Sequence, residues 1–416
     1  MSTEKNRPKR SEFRRKKLGI SKNENSTSRE ISGLVLEKWA NLGTSISHAE
    51  NKTVFVKGGI PGEKVRIRID KENSKLIWGT VVSEEVSSSL RIVSDCSAFP
   101  ECGGCSYRHI PYEEELKIKK SLLAEAILHV SKFPSSEIPK ISTLASSPDA
   151  YRNTAQIKIG FEKGKTKAGF YRENSNSLVS FPKEGCKHLP LEMNEYIREN
   201  LEKRTSFSKK GDWRLRFSSG EILEYDKQEM KLGPYLSEKI EWSIPAEGFT
   251  QVNRFLLEDW MIQIRSWIPK DIGSVLEFYS GAGLISLSVA SLVKRLSGYE
   301  LSKSSVLAAG KNAKKAGYSH LEFHSLDLNS ALPKDLHSSS AKLCILNPPR
   351  AGASSSLLNF FERSKPARII YSSCNHSTLA RDLGVLRDVG YRLKEIVLTD
   401  FFPRTQHFEV LVLLDL

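Results

Sequence analysis

Cys374 follows the apolar run Arg368-Ile369-Ile370-Tyr371 and stands 27 residues after Asn347 of Asn347-Pro348-Pro349-Arg350. A cysteine at the end of a predicted strand, inside a nucleotide-style fold, occupies the place of a nucleophile. A carboxylate, Glu409, lies downstream in Thr405-Gln406-His407-Phe408-Glu409. A thiolate and a nearby base are the two groups needed to modify an unreactive pyrimidine carbon. One adds to the ring and the other removes a proton. That chemistry further requires a group donor, a nucleic acid and a fold that brings the two residues together.

The other cysteines suggest a different use. Cys96, Cys102 and Cys105 form C-x5-C-x2-C, and Cys186 follows after a long gap. Three clustered thiolates plus a distant one resemble the ligand spacing of a plant-type iron–sulfur protein. Gly103-Gly104 permits the tight turn that would direct neighbouring sulfurs to one centre. A four-cysteine zinc site is the alternative. Cys344, inside Leu343-Cys344-Ile345-Leu346, reads as a small core residue.

Length and composition bound what must hold these residues. The 416 residues suffice for two or three domains, and 39% apolar with 9% aromatic content is ordinary for a folded chain. Sixty-three basic against 49 acidic residues give +14, which favours a polyanionic partner such as RNA, although a membrane surface suits the charge equally. No window approaches the roughly 20 apolar residues of a membrane helix, and the start has no signal-peptide core. The expected form is a cytoplasmic monomer that binds RNA and no membrane.

Four stretches follow along the chain. Residues 1–28 read as a basic tail too polar to order itself. Across 29–90 the period is close to two, and glycine and proline break short strands such as Val54-Phe55-Val56 and Val65-Arg66-Ile67-Arg68-Ile69. A small OB-like β-barrel is expected, with Arg66 and Arg68 facing RNA. Residues 91–245 read as a central α/β domain with a helix over Tyr112–Val130 and strands near Tyr151–Ile159 and Trp213–Phe217.

From 246 to 416, strand, loop and helix repeat, which predicts a Rossmann-like doubly wound parallel sheet. Leu393–Leu398 and Phe408–Leu414 add a terminal hairpin with at least one antiparallel strand. Gly281-Ala282-Gly283 allows close backbone approach to a ligand, although Ser286 leaves the dinucleotide fingerprint incomplete. Glu300, at the next strand end, is placed to accept ribose hydroxyls, and Asp327 to meet an adenine.

The C-terminal stretch resembles the RNA uracil-C5-methyltransferase family. The resemblance runs through Gly248-Phe249-Thr250-Gln251-Val252-Asn253, Leu276 to Gly283, Asn347 to Gly352, Ser373-Cys374-Asn375 with Thr378 to Leu383, and Phe402-Pro403 to Glu409. Phe55-Val56 and Ile60-Pro61-Gly62-Glu63 resemble a TRAM barrel, so the likeness extends over nearly all of 30–416. It implies S-adenosylmethionine as donor, with Gln251, Tyr279, Glu300 and Asn347 contacting the donor or the base beside it. It also implies Cys374 as nucleophile, Glu409 as base, and a [4Fe-4S] cluster on Cys96, Cys102, Cys105 and Cys186. Members with both barrel and cluster tend to act on large-subunit ribosomal RNA, which points to 23S rRNA, with a uridine of tRNA as the alternative.

Four residues depart from the family pattern: Asn347 replaces aspartate, Ser280 cysteine, Leu284 asparagine and His376 proline. An amide can accept from uracil N3–H and donate to O4, whereas a carboxylate only accepts. Amino-group and cytosine-C5 methylation are competing chemistries; Arg350 stands where the first needs an aromatic and the second a cysteine. An RNA-binding homologue that has lost activity is the reading from another class.

Overall fold

The computed structural model describes residues 29–162, 165–173, 175–207, 211–224, 229–246, 248–330, 332–333, 336 and 341–416; the basic segment 1–28 lies outside them. The alternation in Val65-Arg66-Ile67-Arg68 makes a two-faced strand, with Val65 and Ile67 wholly buried. Six strands form the first sheet: β1 (Glu30–Val35), β2 (Lys38–Ala40), β3 (Thr44–Ala49), β4 (Lys52–Lys57), β5 (Lys64–Glu72) and β6 (Leu76–Val86). Their order is β1-β5-β6-β4-β3-β2. The sheet curls on itself: Ser47 Oγ of β3 donates to Val35 O, and Glu37 N donates to Ile46 O. At the Ile60–Glu63 turn, Gly62 takes φ 90° and the buried Glu63 carboxylate accepts from Ile60 N and Ser88 N at 2.9 and 3.1 Å.

The two arginines expected to face RNA have partners within the protein. Arg66 lies 3.7 Å from Glu30, and Arg68 pairs with Asp70 and Glu101, each at 3.1 Å. Alternation identifies the outward face but cannot show which carboxylates stand opposite it.

After β7 (Ile141–Leu144) come β8 (Thr154–Glu162), β9 (Lys165–Tyr171), β10 (Leu178–Ser180), β11 (Gly211–Ser218) and β12 (Glu221–Glu224). The last five form an antiparallel sheet in the order β10-β9-β8-β11-β12. The helix Leu191–Phe207 covers it, with Met193 and Ile197 joining Ile157 and Leu215 in one core. A short hairpin, β13 (Met230–Tyr235) and β14 (Ile240–Ile244), follows.

The largest sheet holds β15 (Ser274–Phe278), β16 (Arg295–Glu300), β17 (Leu321–Ser325), β18 (Leu343–Leu346), β19 (Arg368–Ser373), β20 (Arg392–Thr399) and β21 (Glu409–Asp415). Its order is β17-β16-β15-β18-β19-β21-β20-β7. The first five strands are parallel, and β21 runs antiparallel to both β19 and β20. Both faces are covered, which is why Leu343-Cys344-Ile345-Leu346 is an uninterrupted apolar run.

The stretch 91–245 contributes to this sheet as well. The helix Tyr112–Ala126 runs through a π turn to Ser131, and Leu123, Ile127 and Phe133 pack into the large sheet's core, while β7 pairs parallel with β20. Periodicity reveals that a face is buried, not what buries it. Among the described residues, no helix is long and apolar enough to cross a membrane.

Candidate active site

The candidate residues gather at the carboxyl ends of the parallel strands, the place where open α/β sheets bind ligands. After β15 the chain turns sharply: Tyr279, Gly281 and Gly283 take φ 63°, 55° and 80°. A left-handed tyrosine is strained, and the fold tolerates it here because Tyr279 OH accepts from Ser354 N at 3.2 Å. Gly283 has a packing reason as well, since a Cβ there would stand 3.1 Å from Ala309 Cβ. At Gly281 the space is open. Glu300, ending β16, accepts from Gly281 N at 3.1 Å and Ser302 N at 2.8 Å. Beside them Ser280 Oγ is buried without a partner among the described residues.

Asn347 ends β18 half-buried, its N–H donating to Phe278 O at 3.4 Å. Asp327 behaves differently. It is half-buried and accepts from Asn329 N at 2.9 Å and from Ser330 Oγ at 3.3 Å, bonds that hold its carboxyl below the usual range. Its side chain serves a local turn, a use that spacing alone does not reveal.

Cys374 and Glu409 come together although 35 residues separate them. The reason is the antiparallel register of β19 and β21, which pairs Ser373 with Val410. Glu409 is buried, and Gln251 Nε2 donates to its Oε2 at 3.0 Å. Burial pushes the Glu409 carboxyl up to about 7 against the pull of Gln251 and Arg350. Burial also pushes the Cys374 thiol up, the Glu409 charge adds to the rise, and a hydrogen bond from Arg350 opposes it. Gln251 Oε1 is buried with no partner among the described residues, aligned with a site that a ligand completes.

Several residues with no role assigned from the sequence hold this constellation. The chain after Pro349 is fastened to the helix His376–Val389: Asn375 Nδ2 and Thr378 Oγ1 donate to Arg350 O at 2.9 and 3.2 Å, and Arg381 Nη2 to Ala351 O at 3.0 Å. Buried Asp382 accepts from Ala353 N at 2.8 Å and Tyr371 OH at 2.6 Å. Gly352, at φ 84°, leaves no room for a Cβ, which would lie 2.5 Å from Asp382 Oδ2. Their signal in the sequence was the spacing between the Asn347 and Thr378 motifs. His376 binds Asn41 Oδ1 at 3.1 Å and stacks on Phe408 at 5.0 Å, tying the first sheet to the active site.

The four cysteines expected to bind a cluster lie within electrostatic reach of one another, and none forms a disulfide. Gly104 N donates to Cys102 Sγ and Arg108 Nε to Cys105 Sγ, each at 3.4 Å. Such donors suit sulfurs that carry negative charge. Among the described residues, however, no three His, Cys, Asp or Glu side chains form a group that could hold a metal ion.

The sheet order, the glycine turn and the carboxylate ending the second strand define an α/β methyltransferase. The family model described as tRNA (Uracil-5-)-methyltransferase matches residues 234–416. A relative from Leptospira interrogans serogroup Icterohaemorrhagiae serovar copenhageni, named "Uncharacterized RNA methyltransferase", is 41% identical over 382 residues, covering 90% of this chain and 92% of its own. The 23S rRNA (uracil(1939)-C(5))-methyltransferase RlmD of Marinomonas sp. (strain MWYL1) is 27% identical over 92% of this chain and 94% of its own. Among solved structures, the Pyrococcus abyssi tRNA (uracil-54, C5)-methyltransferase in complex with S-adenosyl-L-homocysteine shares the fold, with a TM-score of 0.69 and 19% identity over 92% of this chain and 99% of that one. The chain belongs to the RNA uracil-C5-methyltransferase family.

Proposed function

We propose that this protein methylates C5 of a uridine in 23S rRNA through a covalent adduct between Cys374 and C6 of the base. The observation that carries the chemistry is the meeting of Cys374, Arg350 and Glu409. Thiolate addition forms an S–C6 bond and moves an electron pair toward C5, with Arg350 placed to favour the thiolate. Bound S-adenosylmethionine supplies an electrophilic methyl, which C5 takes as the sulfonium bond breaks. Glu409 then removes the C5 proton, the S–C6 bond breaks, and Cys374 is released. Glu300, Tyr279, Gly281, Gly283 and Asn347 would line the donor side, and the amide of Gln251 would reach both Glu409 and the base. Asp327 at the adenine rests on its position after the third parallel strand.

The target base must leave its stack to reach Cys374. The first sheet would hold the flanking strand: Phe55 and Trp78 lie nearly parallel with centroids 6.1 Å apart, and Lys71 Nζ stands 5.0 Å from the Trp78 ring. Their groove also includes Leu42, next to the Asn41 that binds His376. An aromatic pair with a cation is a sequence-tolerant seat for unpaired bases. The Marinomonas relative's printed substrate supports 23S rRNA. Mapping 5-methyluridine in RNA from a deletion strain tests the choice; loss at one 23S position is expected, and loss confined to tRNA would redirect the assignment.

For Cys96, Cys102, Cys105 and Cys186 we propose a structural [4Fe-4S] cluster, on the cysteine spacing and the N–H and guanidinium donors to sulfur, although the four side chains are not gathered as a metal-holding group among the described residues. Methyl transfer consumes no electrons, so the cluster would position the loop around it. Protein purified without oxygen is expected to be brown and to hold about four irons per chain. Stoichiometric zinc without visible absorption would replace that assignment.

A further inference from the structure

Lys119, Glu115 and Asp400 are fully buried, on a helix and a loop far apart in sequence. Lys119 Nζ donates to Glu115 Oε1 at 2.6 Å, to Asp400 Oδ1 at 2.8 Å and to Phe402 O at 3.3 Å. Tyr112 OH takes the other Asp400 oxygen at 2.8 Å, and Glu115 Oε1 also accepts from Arg404 N at 2.8 Å. The Arg404 guanidinium, 3.8 Å from Glu115, balances the second carboxylate. Each member has at least one partner, and Glu115 Oε2 and Arg404 Nε are buried with no hydrogen bond among the described residues.

Stability gives a poor reason for such a cluster. Apolar residues of similar volume often serve a buried site equally well or better than an ion pair does. What the cluster holds is more telling. Residues 400–408 link β20 to β21 without regular structure, and Glu409 is the next residue. The same loop accepts from Tyr151 OH at Pro403 O, 3.1 Å, and from Asn253 Nδ2 at Asp400 O, 3.5 Å. Asn253 lies two residues from Gln251, the direct partner of Glu409.

We infer that Lys119, with Glu115, Asp400 and Tyr112, is a positioning device for the reaction: it clamps residues 400–408 and so fixes where Glu409 meets the C5 proton. None of the four touches substrate. The inference rests on Glu409 being the base. Because the clamp acts on proton removal, loosening it slows elimination and leaves earlier steps intact.

The test uses the full-length protein, S-adenosylmethionine and RNA from a strain lacking the gene. Lys119→Met, Tyr112→Phe and Glu409→Gln are compared by steady-state kinetics and denaturing electrophoresis. Misplacement by about 1 Å can cost about 100-fold, so Lys119→Met is expected to lose kcat on that order. Tyr112→Phe, which removes one hydrogen bond to a charged group, should lose about 10-fold. Both KM values should stay within about two-fold of wild type, and methylated protein–RNA adduct should accumulate in both variants. A merely structural role would not produce adduct. If Lys119→Met fails to fold, Tyr112→Phe decides alone. Unchanged kcat, or a fall in kcat without adduct, overturns the clamp when Glu409→Gln traps adduct in the same assay. If Glu409→Gln traps none, the base assignment fails and the clamp with it.

Discussion

Glu409→Gln is expected to stop turnover while still forming a covalent, methylated protein–RNA complex that survives denaturing electrophoresis. The amide cannot take a proton, so Cys374 addition and methyl acceptance proceed and elimination does not. Unfolding would not explain the loss. The wild-type carboxyl is pushed up to about 7 by burial, above its ordinary value of 4.5. A raised carboxylate binds a proton more readily in the folded state, so its stabilising share is present at low pH and is lost as pH rises through about 7. Gln carries no such charge, and the variant should be at least as stable as wild type at pH 8. The same shift predicts that wild-type turnover rises as pH passes through about 7, because only the deprotonated form is a base. If Glu409 were an ordinary core residue of β21, Gln would leave turnover nearly intact, with no adduct and no change in the pH profile.

Cys374→Ser is expected to abolish both turnover and adduct. A serine hydroxyl is far less nucleophilic at neutral pH, and losing a nucleophile costs several orders of magnitude in covalent enzymes. The thiol itself needs help, since burial and the Glu409 charge both hold it protonated. Arg350 opposes them, which gives its exposed side chain a part in holding the thiolate. The control is Cys344→Ser. That cysteine is fully buried in β18, where an unpaired hydroxyl costs about 1–3 kcal/mol, and the variant should lose stability at 25 °C and keep its chemistry. Labelled-donor transfer and thermal melts separate the two. Residual turnover in Cys374→Ser would sink the covalent route.

The sequence by itself determined the parts that local physics governs. Period-two alternation marked the strands of the first sheet, and repeated strand–helix units marked the parallel sheet. Cys374 and Glu300 were legible because strand ends carry function in such sheets. Glu409 was legible through its motif, and its burial was not. Tertiary structure alone decided the rest. Ser373 and Val410 are register partners across β19 and β21, and that antiparallel pairing brings Glu409 beside Cys374. Arg66 and Arg68 looked free until Glu30, Asp70 and Glu101 stood opposite them. Asp327 accepts from Asn329 and Ser330 in a local turn, contacts that spacing could not show. Lys119 was an unremarked lysine on a helix until Asp400 met it from a loop 281 residues away. Periodicity reports which face of an element is buried. Charge pairing, register and pKa depend on what covers that face, and in this chain those partners come from distant segments.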